Sequence, residues 1–297
     1  MAQYRDLYQE ITDNILEALE SGKKLPWRKP WRDGGLIPRN GNTGRPYNGV
    51  NVFHLMAIAA SKGYESNDWF TFHGVKAAGG KIKKGEKHSI NVFWKLSKVR
   101  DDKAKDGTKM IPFLKHHCVF NRDQCTGLED HNIDGDFVEL DEAMRLHNVE
   151  EFIAQVDPKL SDGVQACYRP SLDDIKMPPF GSFNAADGYY STLMHEMSHW
   201  TGHKDRLDRD LTGRFGDRSY SAEELVAEFS SAFLCNVLKV DGEDKQHEAY
   251  IQSWIKLLKS DKKAIVKCCS EAQKASNYLL EAGGVTIWED EKAEAVA

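Results

Sequence analysis

No apolar stretch in this chain approaches the roughly 18 residues that a bilayer-crossing helix needs, which excludes a membrane-spanning protein of that kind. The first residues, Met1-Ala2-Gln3-Tyr4-Arg5-Asp6, lack a basic-then-apolar signal pattern, which argues against export by that route. Six Cys are scattered, with Cys268 and Cys269 adjacent, and no C-x-x-C pair occurs. Neither a thiolate zinc site nor a disulfide framework is suggested, and reduced thiols in a cytoplasm are the plain reading. Internal repeats and low-complexity tracts are missing too. What is present is globular composition, 40% apolar and 29% charged, over 297 residues, enough for two domains of ordinary size.

The charge is unevenly spread. The chain carries a net -6, yet residues 1–115 hold about 21 Lys and Arg against about 12 Asp and Glu, so the remainder is acidic by roughly 15 charges. That asymmetry points to a polyanion-binding half joined to a half with another task. Two solvated faces of opposite sign would give the same count.

Residues 4–21 repeat Tyr4, Leu7, Tyr8, Ile11, Ile15, Leu16 and Leu19 at helical spacing, and Gly22 ends the pattern. A Pro-, Gly- and Arg-rich loop follows to Asn51, then a helix over 50–62 closed by Gly63. Asp68 to Phe72 and Ser89 to Trp94 read as strands, flanking a short helix from His73 to Ala78 and a basic turn from Gly79 to Gly85. Asp101 to Gly107 is a charged loop and Phe113 to Phe120 another strand. The acidic stretch Glu129 to Glu142 suits a connector. The second half reads as a helix near 141–155, strands near 165–177, a turn at Pro178 to Gly181, a helix through His195, a polar loop from Lys204 to Arg218, a helix from about Ala222 to Lys239, and helices over 246–259 and 261–280. The expected class is α+β: an N-terminal α/β domain (1–130), a linker (131–145), and a mainly helical C-terminal domain (146–297).

The most specific pattern is His195-Glu196-Met197-Ser198-His199, inside a run free of Gly and Pro. Positions i and i+4 share one helical face, so both imidazoles can meet one metal ion, with Glu196 beside it to take a proton from an activated water. A catalytic zinc needs a third protein ligand. Glu224 is the leading choice. Glu228, one turn on, is an alternative ligand or a carboxylate that hydrogen-bonds a ligand His. Asp205 would complete a metzincin-like spacing, but that class also needs a later Met turn, and no Met follows Met197. His203 lies one turn beyond His199, past Gly202. Tyr220 and His203 are candidate donors to an oxyanion. A capping box between Ser221 and Glu224 would instead occupy that carboxylate.

The N-terminal half offers Lys23, Lys24, Trp27, Arg28, Lys29, Trp31 and Arg32 in one Pro-punctuated segment, followed by Arg39, Arg45 and Tyr47. Lys81, Lys83, Lys84 and Lys87 form a second basic cluster. Rings among cations suit single-stranded nucleic acid, since bases stack on the rings while Lys and Arg follow phosphates. The competing reading is that Trp27 and Trp31 anchor the loop to the core.

These residues carry a family resemblance. Pro26-Trp27-x-x-Pro30-Trp31, Thr43-Gly44-Arg45-Pro46-Tyr47-x-Gly49-Val50-Asn51, Trp69-x-Thr71-Phe72, Gly79-Gly80, Lys84-Gly85-Glu86 and Val119-Phe120-Asn121 resemble the N-terminal domain of ArdC-type antirestriction proteins of conjugative plasmids, and that of plasmid TraC primases. His195 to His203, Arg206-Leu207-Asp208-Arg209 and Glu223-Glu224-Leu225-Val226-Ala227-Glu228 resemble the zincin metallopeptidase domain of the same family. The resemblance implies non-specific binding of single-stranded DNA, a zinc site (Mn2+ being another candidate) with His195, His199 and Glu224 as ligands and Glu196 as base, and protection of incoming plasmid DNA from host restriction endonucleases. With the thiols and the missing apolar run, the expected setting is cytoplasmic with no membrane partner, and a restriction or DNA-associated protein is the candidate peptide substrate. Two rivals stay open: a strand-coating protein with a vestigial metal site, and a DNA-associated regulatory or repair metallopeptidase.

Overall fold

The computed structural model describes residues 5–21, 25, 27, 37–100, 108–128, 142–214, 217–240 and 248–286. The chain forms two compact units, one of Met1–Ala18 and Gly35–Asp136, the other of Leu19–Gly34 and Phe137–Ala297. The Pro-Trp segment, which the sequence assigns to the first domain, therefore groups with the second unit.

The first unit opens with α1 (Leu7–Glu20), all but its last two residues, and its stripe of Ile11, Ile15 and Leu16 is buried. Strand β1 (Arg39–Asn40) precedes α2 (Val50–Lys62), which stops where Gly63 takes a left-handed φ of 72° and returns its N–H to Ala59. Next come β2 (Asp68–Thr71), α3 (Phe72–Ala77), β3 (Lys81–Ile82), the long pair β4 (Ser89–Arg100) and β5 (Thr108–Asn121), and β6 (Cys125–Thr126). The main sheet runs β1-β2-β5-β4, parallel at β1–β2 and antiparallel elsewhere, while β3 and β6 form a separate pair.

Trp69 and Phe70 are consecutive, so they fill opposite faces of that sheet. Trp69 packs with Leu55 and Val119, and Phe70 with Val75, Cys125 and Leu128. Burial on both faces explains why β2 lacks alternation. A Cβ on Gly41 would stand 2.1 Å from the Phe70 ring, so only glycine fits there. The buried Asp68 carboxylate is compensated by two guanidinium groups, Arg39 at 2.7 Å and Arg122 at 3.0 Å. The Asn51 amide of α2 donates to Val92 O at 2.7 Å and accepts from Val92 N at 2.8 Å, pinning the helix to β4.

The second unit contains α4 (Glu142–Val156), β7 (Leu160–Asp162), β8 (Cys167–Arg169), β9 (Asp174–Met177), α5 (Ala186–Trp200), α6 (Arg218–Val237), α7 (Glu248–Ser260) and α8 (Ala264–Ala282). Its sheet is ordered β7-β9-β8, parallel then antiparallel. Helix α5 buries Leu193, Met194 and Met197; α6 buries Leu225, Val226, Phe229, Phe233 and Leu234. Small side chains line the seam between them. The Ser198 hydroxyl donates to Met194 O at 2.7 Å, and the Ser230 hydroxyl lies 2.9 Å from it. No helix among the described residues is long and apolar enough to cross a membrane.

Candidate metal centre

Helical spacing alone brings the two imidazoles of α5 together, with His195 Nε2 and His199 Nε2 3.2 Å apart. The third group comes from α6. Glu224 Oε2 is 3.5 Å from His195 Nε2, and Glu224 Oε1 is 3.7 Å from His199 Nε2. The three ligand atoms lie within 4.8 Å of one another. Two ring nitrogens and a carboxylate aimed at one point are a donor set of the kind a divalent cation takes, so the residues fit such an ion. The capping box between Ser221 and Glu224 does not form. The helix begins a turn earlier than the sequence suggests, and Ser221 donates to Asp217 O at 3.0 Å, which leaves Glu224 for the histidines.

Glu196 follows His195 on α5, and its Oε2 accepts the Tyr168 N–H of β8 at 2.8 Å. A strand that turns one of its own amides away from β9 thereby fixes the rotamer of the carboxylate beside the metal position. The β8 end is itself tied down: Arg206 stacks on Trp200, 3.7 Å from the ring centre, and pairs with Asp173, which also accepts from the Tyr168 hydroxyl at 2.9 Å.

The carboxylate found behind a ligand histidine is Glu223, which the sequence reading passed over in favour of Glu228. Glu223 Oε1 lies 3.1 Å from His199 Nδ1, and Arg209 clamps Glu223 at 2.8 and 3.0 Å. Arg209 also donates to Thr201 Oγ1 and Ser198 O, both at 2.7 Å, so the polar loop after α5 returns to lock the helix end. Burial pushes the His199 imidazole down. The hydrogen bond to Glu223 and the charges of Glu224, Glu223 and Glu196 outweigh it and raise His199 to about 9. Burial likewise pushes the Glu223 carboxyl up, but His199 and Arg209 win and hold it below the usual range. Glu228 instead accepts from Trp27 Nε1 at 3.3 Å.

Tyr220 reaches the site. Its hydroxyl hydrogen-bonds Glu224 and stands 3.2 Å from the Tyr250 hydroxyl. Burial, then these two partners, drives the Tyr220 phenol up, so it keeps its proton. Tyr250 was not anticipated, since it lies 30 residues away on another helix. Its ring stacks between Tyr220 and Trp254. His203 pairs with exposed Asp205 at 3.4 Å, and neither joins the three-ligand cluster. The metzincin-like spacing is therefore not realised.

The nucleic-acid candidates divide. Trp27 is only 4% exposed and meets Phe229 edge-on at 5.1 Å, so it anchors the loop and is not a free stacking ring. Arg39 is committed to Asp68. Tyr47 is half-buried and bonds Asn91. Arg45, Lys84 and Lys87 are exposed, as is Lys83, whose ammonium caps Asp123 O at 2.7 Å. Lys23, Lys24, Arg28, Lys29, Trp31 and Arg32 lie outside the described residues.

A helix bearing His195, Glu196 and His199, a second helix supplying Glu224, and a small sheet whose end strand holds the Glu196 carboxylate are the frame of a zincin-type metallopeptidase domain. Residues 147–271 match the family described as zincin-like metallopeptidase, and residues 5–120 match the N-terminal domain of anti-restriction factor ArdC. The chain belongs to the ArdC antirestriction family. It is 41% identical to the metal-free crystal structure of antirestriction protein ArdC from plasmid R388, with a TM-score of 0.78, covering 94% of this chain and 98% of that one. The Mn(II)-bound structure of the same protein gives 40% identity and a TM-score of 0.75 over the same shares. The uncharacterized protein y4eC of Sinorhizobium fredii is 36% identical over 92% of this chain and 91% of its own length. Two Escherichia coli proteins named DNA primase TraC are 33% and 32% identical over 93% and 94% of this chain, which spans only 27% and 20% of their length.

Proposed function

We propose that this protein binds single-stranded DNA without sequence preference in the cytoplasm and shields incoming plasmid DNA from restriction endonucleases, and that its second unit is a zinc-dependent peptidase. The observation that carries the reading is the coexistence, in a chain so similar to an antirestriction protein, of the His195–His199–Glu224 cluster with Glu196, the neighbour of His195 held by the Tyr168 amide. The Mn(II)-bound relative supports a divalent ion as the cofactor, and the TraC primases support a nucleic-acid partner for the first unit.

His195, His199 and Glu224 would hold the ion. Bound there, it supplies Lewis acidity, acidifying a water and polarising a peptide carbonyl. The protein's own groups do the rest. Glu196, oriented by the Tyr168 amide, takes the proton from the attacking water and delivers it to the departing amine as the C–N bond breaks. The Tyr220 hydroxyl, kept protonated, donates to the carbonyl oxygen as negative charge builds on it.

The test separates the two halves of the proposal. Glu196→Gln keeps the three ligands and removes the base. It is expected to bind metal and DNA like the wild type while losing peptide hydrolysis by about a hundredfold or more. If plasmid transfer into a restricting host stays protected with this variant, protection comes from strand coating. Undiminished hydrolysis would remove Glu196 from the mechanism.

A further inference from the structure

The N-terminal unit has to find its stacking rings somewhere other than Trp27. Among its described residues the large exposed rings are Phe72, Trp94 and Phe113, and two of these lie on the β4–β5 hairpin. We propose that this hairpin is the surface that grips an unpaired DNA strand, with Trp94 as the principal base-stacking ring. The assignment rests on the single-strand reading above and locates its contact surface.

The register shows how the surface arises. Residues directly opposite in an antiparallel pair share a face. The face of β4 that carries the buried Ile90 and Val92 continues along the strand through Trp94, Leu96, Lys98 and Arg100. Their partners on β5 are Leu114, Pro112, Met110 and Thr108. Where α2 covers the face, the side chains are buried. Beyond that cover Trp94 is 55% exposed, Leu96 62% and Met110 53%. The opposite face carries Lys95 beside Phe113, and Phe93 beside Lys115.

Charge decides the occupant. The two strands hold Lys95, Lys98, Arg100, Lys109 and Lys115 and not one Asp or Glu. An apolar protein partner would not select so one-sided a set of cations, whereas a phosphate backbone does. A duplex presents no base faces to a ring, so exposed rings among cations favour an unpaired strand. Trp94 and Lys98 are four residues apart on one face, on the order of 13 Å, which lets a base and a neighbouring phosphate be held together.

The test uses the full chain and a dye-labelled oligodeoxythymidine, followed by fluorescence anisotropy across a salt series. Trp94→Ala should weaken binding about tenfold, Trp94→Phe should stay within about threefold, and Trp94→Leu should behave like the alanine variant. Lys98→Ala should lower the slope of log affinity against log salt by about 0.7. These side chains are exposed, so thermal unfolding should be unchanged, and that is measured in parallel. Wild-type protein that fails to bind overturns the single-strand reading itself. Wild type that binds, with Trp94→Ala and Lys98→Ala indistinguishable from it, overturns the hairpin assignment alone and leaves this face to a protein partner. Trp94→Leu at full affinity overturns stacking as the mode of contact.

Discussion

His54 sits on α2 with its ring fully enclosed, and neither ring nitrogen meets a hydrogen-bond partner among the described residues. Burial pulls its pKa down to about 4, against a smaller upward pull from Glu10 on α1. The native state thus holds this imidazole neutral, while the unfolded chain protonates it near 6.5. The sign follows: stability is whole above about pH 6.5 and drains away as pH falls toward 4, by on the order of 3 kcal/mol from this one group. His54→Leu should flatten the loss, as read by urea midpoints at pH 7 and pH 5, and an equal acid loss in that variant would acquit His54. Glu223 makes the second residue-scale prediction. It orients His199 from behind, so Glu223→Gln should weaken divalent-metal affinity about 10–100-fold in a chelator competition, leaving DNA binding as it was. The sequence made His195, Glu196 and His199 legible because a five-residue helical spacing carries its own geometry. Glu223 was hidden because a Glu-Glu pair gives no hint of which member faces the metal and which faces Arg209, a loop residue that folds back from ten positions downstream of His199.

At the scale of elements, the hairpin was read half-length for physical reasons. The expected strand starts at Phe113, just after Pro112, yet Pro112 stands opposite Leu96 where β5 has only β4 beside it, so its missing N–H falls on the open edge. The mixed run Lys95 to Arg100 lacks the apolar alternation of a half-buried strand because both of its faces meet solvent. Helices α1 and α2 were legible from apolar runs closed by Gly22 and Gly63, α5 from a run free of Gly and Pro, and α4, α6, α7 and α8 stood within a few residues of where the sequence put them. The three-residue β7 gave too short a pattern to see. Trp27 exposes a different limit, since a ring between Pro and Arg spells the same whether it stacks on a base or plugs a core. Its burial against Phe229 on the ligand-bearing α6 predicts that Trp27→Ala costs about 3–5 kcal/mol in denaturant unfolding. A loss under about 1 kcal/mol would mean that the anchor carries little of the packing.

At the scale of the whole molecule, the β4–β5 hairpin and the His195–His199–Glu224 cluster fall in different compact units, a division of labour that does not follow the charge. The division is not drawn at a single point along the chain, because Leu19–Gly34 leaves the N-terminal sequence to join the unit that contains the His195–His199–Glu224 cluster. Composition could not show that, since a segment that crosses over keeps its charge. A ligand stabilises only the structure that must be intact to bind it. An ion at a hundred times its dissociation constant should therefore add about 2.7 kcal/mol to the unit that contains the site. Amide hydrogen exchange reads this residue by residue in the intact protein. Adding zinc or manganese should raise protection in α5, α6 and α8 and leave α2, β2 and β5 unchanged, and removing the ion with a chelator should reverse it. The converse experiment, adding oligodeoxythymidine without metal, should protect β4 and β5 first. Metal that protects both units equally would show that they unfold as one, and the separation of tasks along this chain would then be a matter of geography and not of independent stability.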